Sequence, residues 1–317
     1  MRDVLPGLLR WWRAGEPAGL AIVTATWSSA PRQVGAAMAV GPDGAAIGSV
    51  SGGCVEAAVY DLCEEVRRTG RARTASFGVS DDEAFGVGLP CGGTVELMIG
   101  RVDRDSFPEL PELMTAIESG EPITLNAHEG RYTIKGEKGL EIPFMPPPRM
   151  IVFGATDHAA AIARMGKFLG YRVTVCDARP VFATAARFPE ADEVVVDWPH
   201  RYLSSVEVDE RTVICVLTHD AKFDVPVLER ALRLPVGYVG AMGSRRTHED
   251  RLDRLRAAGL TEAELARLCS PIGLDLGART PEETAVSIAA EIVALRHGGT
   301  GNRLRETSGP VHRVTVR

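Results

Sequence analysis

Apolar residues in the second half of this chain fall in short, unbroken blocks: Arg149-Met-Ile-Val-Phe-Gly154, Arg172-Val-Thr-Val-Cys-Asp177, Glu193-Val-Val-Val196, Thr212-Val-Ile-Cys-Val-Leu217 and Val236-Gly-Tyr-Val-Gly240. Helix-forming stretches such as Ala159 to Leu169 separate them. Strands that are apolar on both faces and alternate with helices predict a parallel sheet covered on two sides, a Rossmann-like doubly wound fold. A long helix closes this half. Thr280-Pro-Glu-Glu283 opens it with a capping threonine, a proline at the first position and a glutamate that completes a capping box, and the pattern runs to about Arg296.

The first half reads as mixed α/β. Gly19 to Thr26 predicts a strand, and Ala36 to Val40 with Ala45 to Ile47 predicts a hairpin around Gly-Pro-Asp-Gly. Val55, Val59, Leu62, Cys63 and Val66 share one helical face, ended by Gly70. Thr94 to Ile99 predicts a strand, and a short helix lies around Leu113 to Ile117. Pro6 and Gly7 interrupt the segment from Met1 to Trp12, which receives no element. The boundary between the halves is Ile142-Pro-Phe-Met-Pro-Pro-Pro-Arg149, whose prolines favour an extended, stiff connection. The predicted organisation is therefore a domain over 1–142, a linker over 143–149, a Rossmann-like domain over 150–297 and a glycine-rich, then basic, mobile tail over 298–317.

Composition narrows the function classes. With 317 residues, 45% of them hydrophobic, the chain can bury two substantial cores. A net charge of −6 provides no global basic field for nucleic acid, and no apolar run approaches the roughly 18 residues that cross a bilayer. The N-terminus is no secretory signal, so the expected location is the cytoplasm. Six cysteines without a CxxC pair point to reduced thiols. Neither HExxH, a Walker A lysine nor an assignable Ser/His/Asp order is present, which weighs against a self-contained hydrolase or kinase.

Two glycine-rich turns carry the chemistry. Gly48-Ser-Val-Ser-Gly-Gly-Cys-Val-Glu56 presents Cys54 just before a helix, where Gly52 and Gly53 permit close backbone approach and unpaired helix N–H groups favour an anion or thiolate. Gly88-Leu-Pro-Cys-Gly-Gly-Thr-Val-Glu96 repeats the Gly-Gly-x-Val-Glu core with Cys91 ahead of Gly92 and Gly93. The two turns point to one shared site. In the second half, Gly154-Ala-Thr156 keeps the first glycine of a dinucleotide fingerprint and lacks the second, and Asp157 adds a repelling carboxylate. Asp177 stands where an acid would bond a ribose hydroxyl, with Arg179 beside it, so NAD and NADP both stay open. Gly243, Ser244 and Arg245 follow a strand and suit an anion such as phosphate. His219-Asp220 also follows a strand and fits either a ligand contact or a helix cap.

These motifs, with Ser29-Ala-Pro-Arg-Gln-Val-Gly35, Gly240-Ala-Met-Gly-Ser-Arg-Arg246 and Pro271-Ile-Gly-Leu-Asp-Leu-Gly-Ala-Arg-Thr-Pro-Glu-Glu283, resemble the XdhC/CoxI family of accessory proteins for molybdenum-cofactor enzymes such as xanthine dehydrogenase. The resemblance implies a maturation protein that protects molybdopterin-type cofactor, supports its sulfuration by a cysteine desulfurase and delivers it to a molybdenum hydroxylase apoenzyme. It places Cys54 near the molybdenum, Cys91 as its companion and Arg32 on the cofactor phosphate. Soft thiolate sulfur suits that metal, and a guanidinium suits the phosphate. The competing reading is an NAD(P)-dependent oxidoreductase built on the second half. Whether the chain pairs as a homodimer stays open.

Overall fold

The computed structural model describes residues 1–27, 32–78, 93–136 and 139–308. Ser29, Ala30, Pro31, Cys91 and Gly92 lie outside these. Residues 1–146 form one compact unit and residues 147–307 a second.

The first unit opens with α1 (Leu5–Ala14), which occupies the segment that Pro6 and Gly7 had left without an element. Pro6 sits in the first turn, where its missing N–H has no intrahelical partner to lose, and Leu5, Leu8, Leu9 and Trp11 turn inward. Strands β1 (Ala18–Trp27), β2 (Ala37–Val40), β3 (Ala46–Gly48), β4 (Arg73–Phe77) and β5 (Thr94–Val102) form an antiparallel sheet in the order β3-β2-β1-β5-β4. Alternation along β1 feeds two cores. Leu20 and Ile22 pack with α1, α3 (Leu110–Ser119) and a second sheet, whereas Ala21 and Val23 pack under α2 (Glu56–Thr69) with Val59, Cys63 and Val66. The second sheet, β6 (Ile123–His128), β7 (Arg131–Thr133) and β8 (Leu140–Phe144), has the order β7-β6-β8 and was not foreseen. Its strands are short and carry polar residues inside them, so no apolar run announces them. Pro143 and Phe144, read as linker, close β8, and Arg149 already belongs to the next strand, which leaves residues 145–148 as the connection.

The second unit follows the apolar blocks closely. Strands β9 (Arg149–Phe153), β10 (Arg172–Asp177), β11 (Glu193–Val196), β12 (Val213–Val216), β13 (Tyr238–Ala241) and β14 (Leu268–Cys269) form a wholly parallel sheet in the order β11-β10-β9-β12-β13-β14. This is the doubly wound order 3-2-1-4-5-6, with its direction reversing between β9 and β12. Helices α4 (Asp157–Phe168), α5 (Pro199–Ser205), α6 (Ala221–Ala231), α7 (Arg245–Ala257), the short α8 (Glu262–Leu265) and α9 (Pro281–His297) cover its faces. Met150 and Val152 of β9 enter one core and Ile151 and Phe153 the other. Helix α9 has the capping box expected from Thr280 and Glu283. Among the described residues no helix is long and apolar enough to cross a membrane.

Candidate functional site

The loop between β3 and α2 is held at both ends by Val50 and Val55, which are fully buried in the core beneath α2. Between them the backbone folds around a single carboxylate. Glu56 Oε1 accepts from the Ser49 hydroxyl at 2.6 Å and from the N–H groups of Val50, Ser51 and Gly52 at 3.2, 2.9 and 3.0 Å. Its Oε2 accepts from the Ser51 hydroxyl at 2.5 Å and from the N–H groups of Gly53 and Val55 at 2.7 and 3.2 Å. Burial pushes the Glu56 carboxyl up, but the Ser49 and Ser51 hydroxyls and the surrounding amides outweigh it and bring the pKa down to about 2. The loop amides of Val50 to Gly53 and the N–H of the N-cap Val55 are therefore already paired with the protein's own carboxylate. Sequence reasoning missed Glu56, although an acid in the first helical turn behind a Ser/Gly-rich loop was a readable signal.

Cys54 rides on this network. Its N–H donates to Ser51 Oγ at 3.0 Å, and it is half-buried at the edge of the core under α2. Gly52 and Gly53 have φ of +86° and +122°, conformations that favour glycine, and a Cβ on either would meet no heavy atom within 4 Å. Among the described residues nothing covers the loop at these two glycines. Among the other described cysteines, burial pushes the thiols of Cys63, Cys176 and Cys215 up to about 12 and that of Cys269 to about 11.

Register relates the remaining predicted residues of the first unit. Trp27, the end of β1, pairs with Thr94, the start of β5, and Phe77 at the end of β4 pairs with Val95. Gly48 at the end of β3 pairs with Met38 near the start of β2. Strands β1, β3 and β4 thus end, and β2 and β5 begin, toward the same end of the sheet, with β1 and β5 reaching further than β3. Arg32, exposed, precedes β2 there, and Gly93, buried, immediately precedes β5. Cys91 and Gly92 fall outside the described residues. Despite the shared Val-Glu, Glu96 stands exposed on strand β5 rather than opening a helix, so the repeated phrase does not make a repeated structure.

In the second unit the turn after β9 is closed from within. Gly154 has φ +108°, and a Cβ there would come within 2.9 Å of both Thr218 Cγ2 and the Thr218 backbone nitrogen, so packing alone requires the glycine. The Ala155 N–H donates to Asp177 Oδ2 at 2.8 Å and the Thr156 N–H to the Gly154 carbonyl at 3.1 Å. Thr156 caps α4, accepting from the Ala159 N–H at 3.2 Å. Asp177, 2% exposed, also takes the Arg179 N–H, Nε and Nη2 at 2.9, 2.9 and 2.7 Å. Four donors of the protein itself, three of them from Arg179, thus converge on the carboxylate for which a ribose hydroxyl was expected. Burial pushes its carboxyl up, but the Arg179 contact and the two amides hold it below the ordinary range. Arg179 lies 4.7 Å from the centre of the Phe182 ring, and Arg187 bonds the Ala155 carbonyl and Asp157. In this turn the Ala155 and Thr156 amides are paired within the protein, and Asp157 opens α4 directly behind them.

Further along the same sheet edge, Ser244 caps α7, accepting from the Thr247 N–H at 3.1 Å, and Gly243 precedes it with Arg245 exposed behind. Asp220 caps α6, which is the structural alternative read for His219-Asp220. Below lies a buried pair that sequence did not signal. Arg251 donates to Asp224 at 2.9 Å, to the Met242 carbonyl at 2.8 Å and to Ser270 Oγ at 3.0 Å, while the Thr218 hydroxyl donates to Asp224. The pair ties the ends of β12 and β13 together.

Comparison with known proteins follows these landmarks. The family model "XdhC Rossmann domain" matches residues 150–292, and the model "XdhC and CoxI family" matches residues 11–78, which include Arg32 and the Cys54 loop. The chain belongs to the XdhC/CoxI family. Among relatives, this family member is 29% identical to the "Molybdenum cofactor insertion chaperone PaoD" of Escherichia coli, over 93% of the chain and 88% of the relative. It is 27% identical to a protein of Bacillus subtilis named as a probable xanthine dehydrogenase subunit, over 89% of the chain and 94% of the relative. In fold it is similar to a crystal structure titled a xanthine dehydrogenase from Bacillus halodurans, with TM-score 0.74 and 24% identity over 96% of this chain and 98% of the other.

Proposed function

We propose that this protein is a molybdenum-cofactor-binding accessory protein that protects the cofactor, supports its sulfuration by a cysteine desulfurase and delivers it to a xanthine dehydrogenase-like molybdenum hydroxylase in the cytoplasm. The observation that carries the reading is the Cys54 thiol, half-buried on a glycine loop whose amides the Glu56 carboxylate and Ser51 hydroxyl hold in place. A thiolate is the soft donor such a metal favours, and a preformed loop spares the ordering cost on binding. The relative named a molybdenum cofactor insertion chaperone supports the same reading. Cys91 is on this reading the companion of Cys54, Gly92 and Gly93 are close-approach backbone, and Arg32 takes the cofactor phosphate through a bidentate contact. On this reading the Rossmann-like unit serves as scaffold, with Gly243, Ser244 and Arg245 as its anion-facing edge.

The test is anaerobic binding of molybdenum cofactor to the purified wild type and Cys54→Ser, with NAD and NADP as competitors. Binding that is lost in Cys54→Ser and indifferent to dinucleotide is the expected result. Tight dinucleotide binding without cofactor binding overturns the proposal in favour of an oxidoreductase.

A further inference from the structure

We infer that Glu56 is the positioning residue of the Cys54 loop: its carboxylate fills the anion cradle of residues 49–53 from within, so that a ligand reaching the loop meets the thiol and not the amides. This deepens the functional reading, since it rests on Cys54 facing the ligand and says which end of the ligand Cys54 meets.

Four successive N–H groups, Val50 to Gly53, converge on one carboxylate together with two hydroxyls. Successive amides turned to one point form a concavity that takes phosphate in many proteins. Here the occupant is covalently attached, a few residues along the chain, so it is always present at high effective concentration. Any phosphate approaching would have to displace it and would meet its negative charge on the way. The Ser51 hydroxyl, which donates to Glu56, also accepts from the N–H groups of Cys54 and Val55 at 3.0 and 3.1 Å. The position of the cysteine is thereby tied to the same carboxylate. What the carboxylate leaves uncovered is the half-buried Cys54 side chain and the bare Cα faces of Gly52 and Gly53. The loop is therefore built for the soft, metal-bearing end of an anionic cofactor, and the phosphate of that cofactor is held by another part of the chain.

The experiment uses the full-length protein at fixed pH. Amide hydrogen exchange at Val50 to Gly53 and the iodoacetamide alkylation rate of Cys54 are measured in the wild type, Glu56→Ala and Glu56→Gln, with inorganic phosphate, formate or chloride added at equal ionic strength. In the wild type, phosphate should leave both readouts unchanged. In Glu56→Ala the four amides should exchange about tenfold faster or more, as loss of bonds to a charged acceptor implies. Formate, a detached carboxylate, should restore slow exchange and the wild-type alkylation rate, which a merely structural defect would not permit. Phosphate protection of wild-type Cys54, or Glu56→Ala amides that exchange as in the wild type, overturns the inference. Should Glu56→Ala fail to fold, Glu56→Gln and the wild-type phosphate arm decide alone. The functional reading fails separately: cofactor binding retained in Cys54→Ser would remove the ligand from the loop and leave the exchange results standing.

Discussion

The Cys54 loop and the Gly154 turn look alike in sequence, each a glycine-bearing turn that runs into a helix, and in both the structure turns the backbone donors onto an acid of the protein itself. Their acids come from different places. Glu56 belongs to the helix that the loop opens, so the contact is local, whereas Asp177 arrives from the neighbouring strand 22 residues after Ala155. What is left outward differs too: a half-buried thiol and open glycines in one case, the Asp157 carboxylate and two arginines around Phe182 in the other. A glycine-rich turn is a phosphate site only once its free donors have been counted.

Several substitutions sharpen this contrast. Gly154→Ala combines a left-handed backbone with a collision against Thr218, and should destabilise the second unit by about 3 kcal/mol in urea unfolding. Asp177→Ala leaves the Ala155 N–H and Arg179 without their acceptor and should cost about 2 kcal/mol, while the Cys54 alkylation rate stays at the wild-type value. If Asp177→Ala instead abolished a measurable NAD affinity, the closed-turn description would fall.

Gly52→Ala meets the same backbone restriction in open space, so its cost should be smaller, about 1–2 kcal/mol from backbone strain alone. A cost equal to that of Gly154→Ala would mean that the loop face is covered. The smallest effect concerns pH. The folded pKa of Glu56, about 2, lies below its ordinary 4.5, so its contribution is fully present above about pH 4.5 and is lost as pH falls toward 2. The stability gap between wild type and Glu56→Gln, about 1 kcal/mol after allowing for solvent screening, should close across that window. A gap that stayed constant from pH 5 to about 2 would show that the carboxylate charge is not what the loop uses.

The legible parts of the chain share a short range. The blocks at β9, β10, β12 and β13 stand out because a strand buried on both faces needs several consecutive apolar residues, and α9 stands out because Thr280 and Glu283 cap it within one turn. Cys63 was readable as core from the helical period of its neighbours. Strands β6 to β8 were not, since each is partly polar and finds its partners only by pairing with one another. The same holds for Arg251 and Asp224, 27 positions apart, whose mutual neutralisation makes burial tolerable.

Local chemistry written into the chain thus settled the doubly wound half, the capped start of α9 and the presence of a cysteine on a glycine turn, because periodicity, caps and turn residues act over a few positions. Tertiary structure alone decided which backbone donors of the Gly154 turn remained free. A hydrogen-bond donor is satisfied by whichever acceptor the fold carries to it, and for Ala155 that acceptor was Asp177, an acid whose arrival depends on how two strands lie side by side.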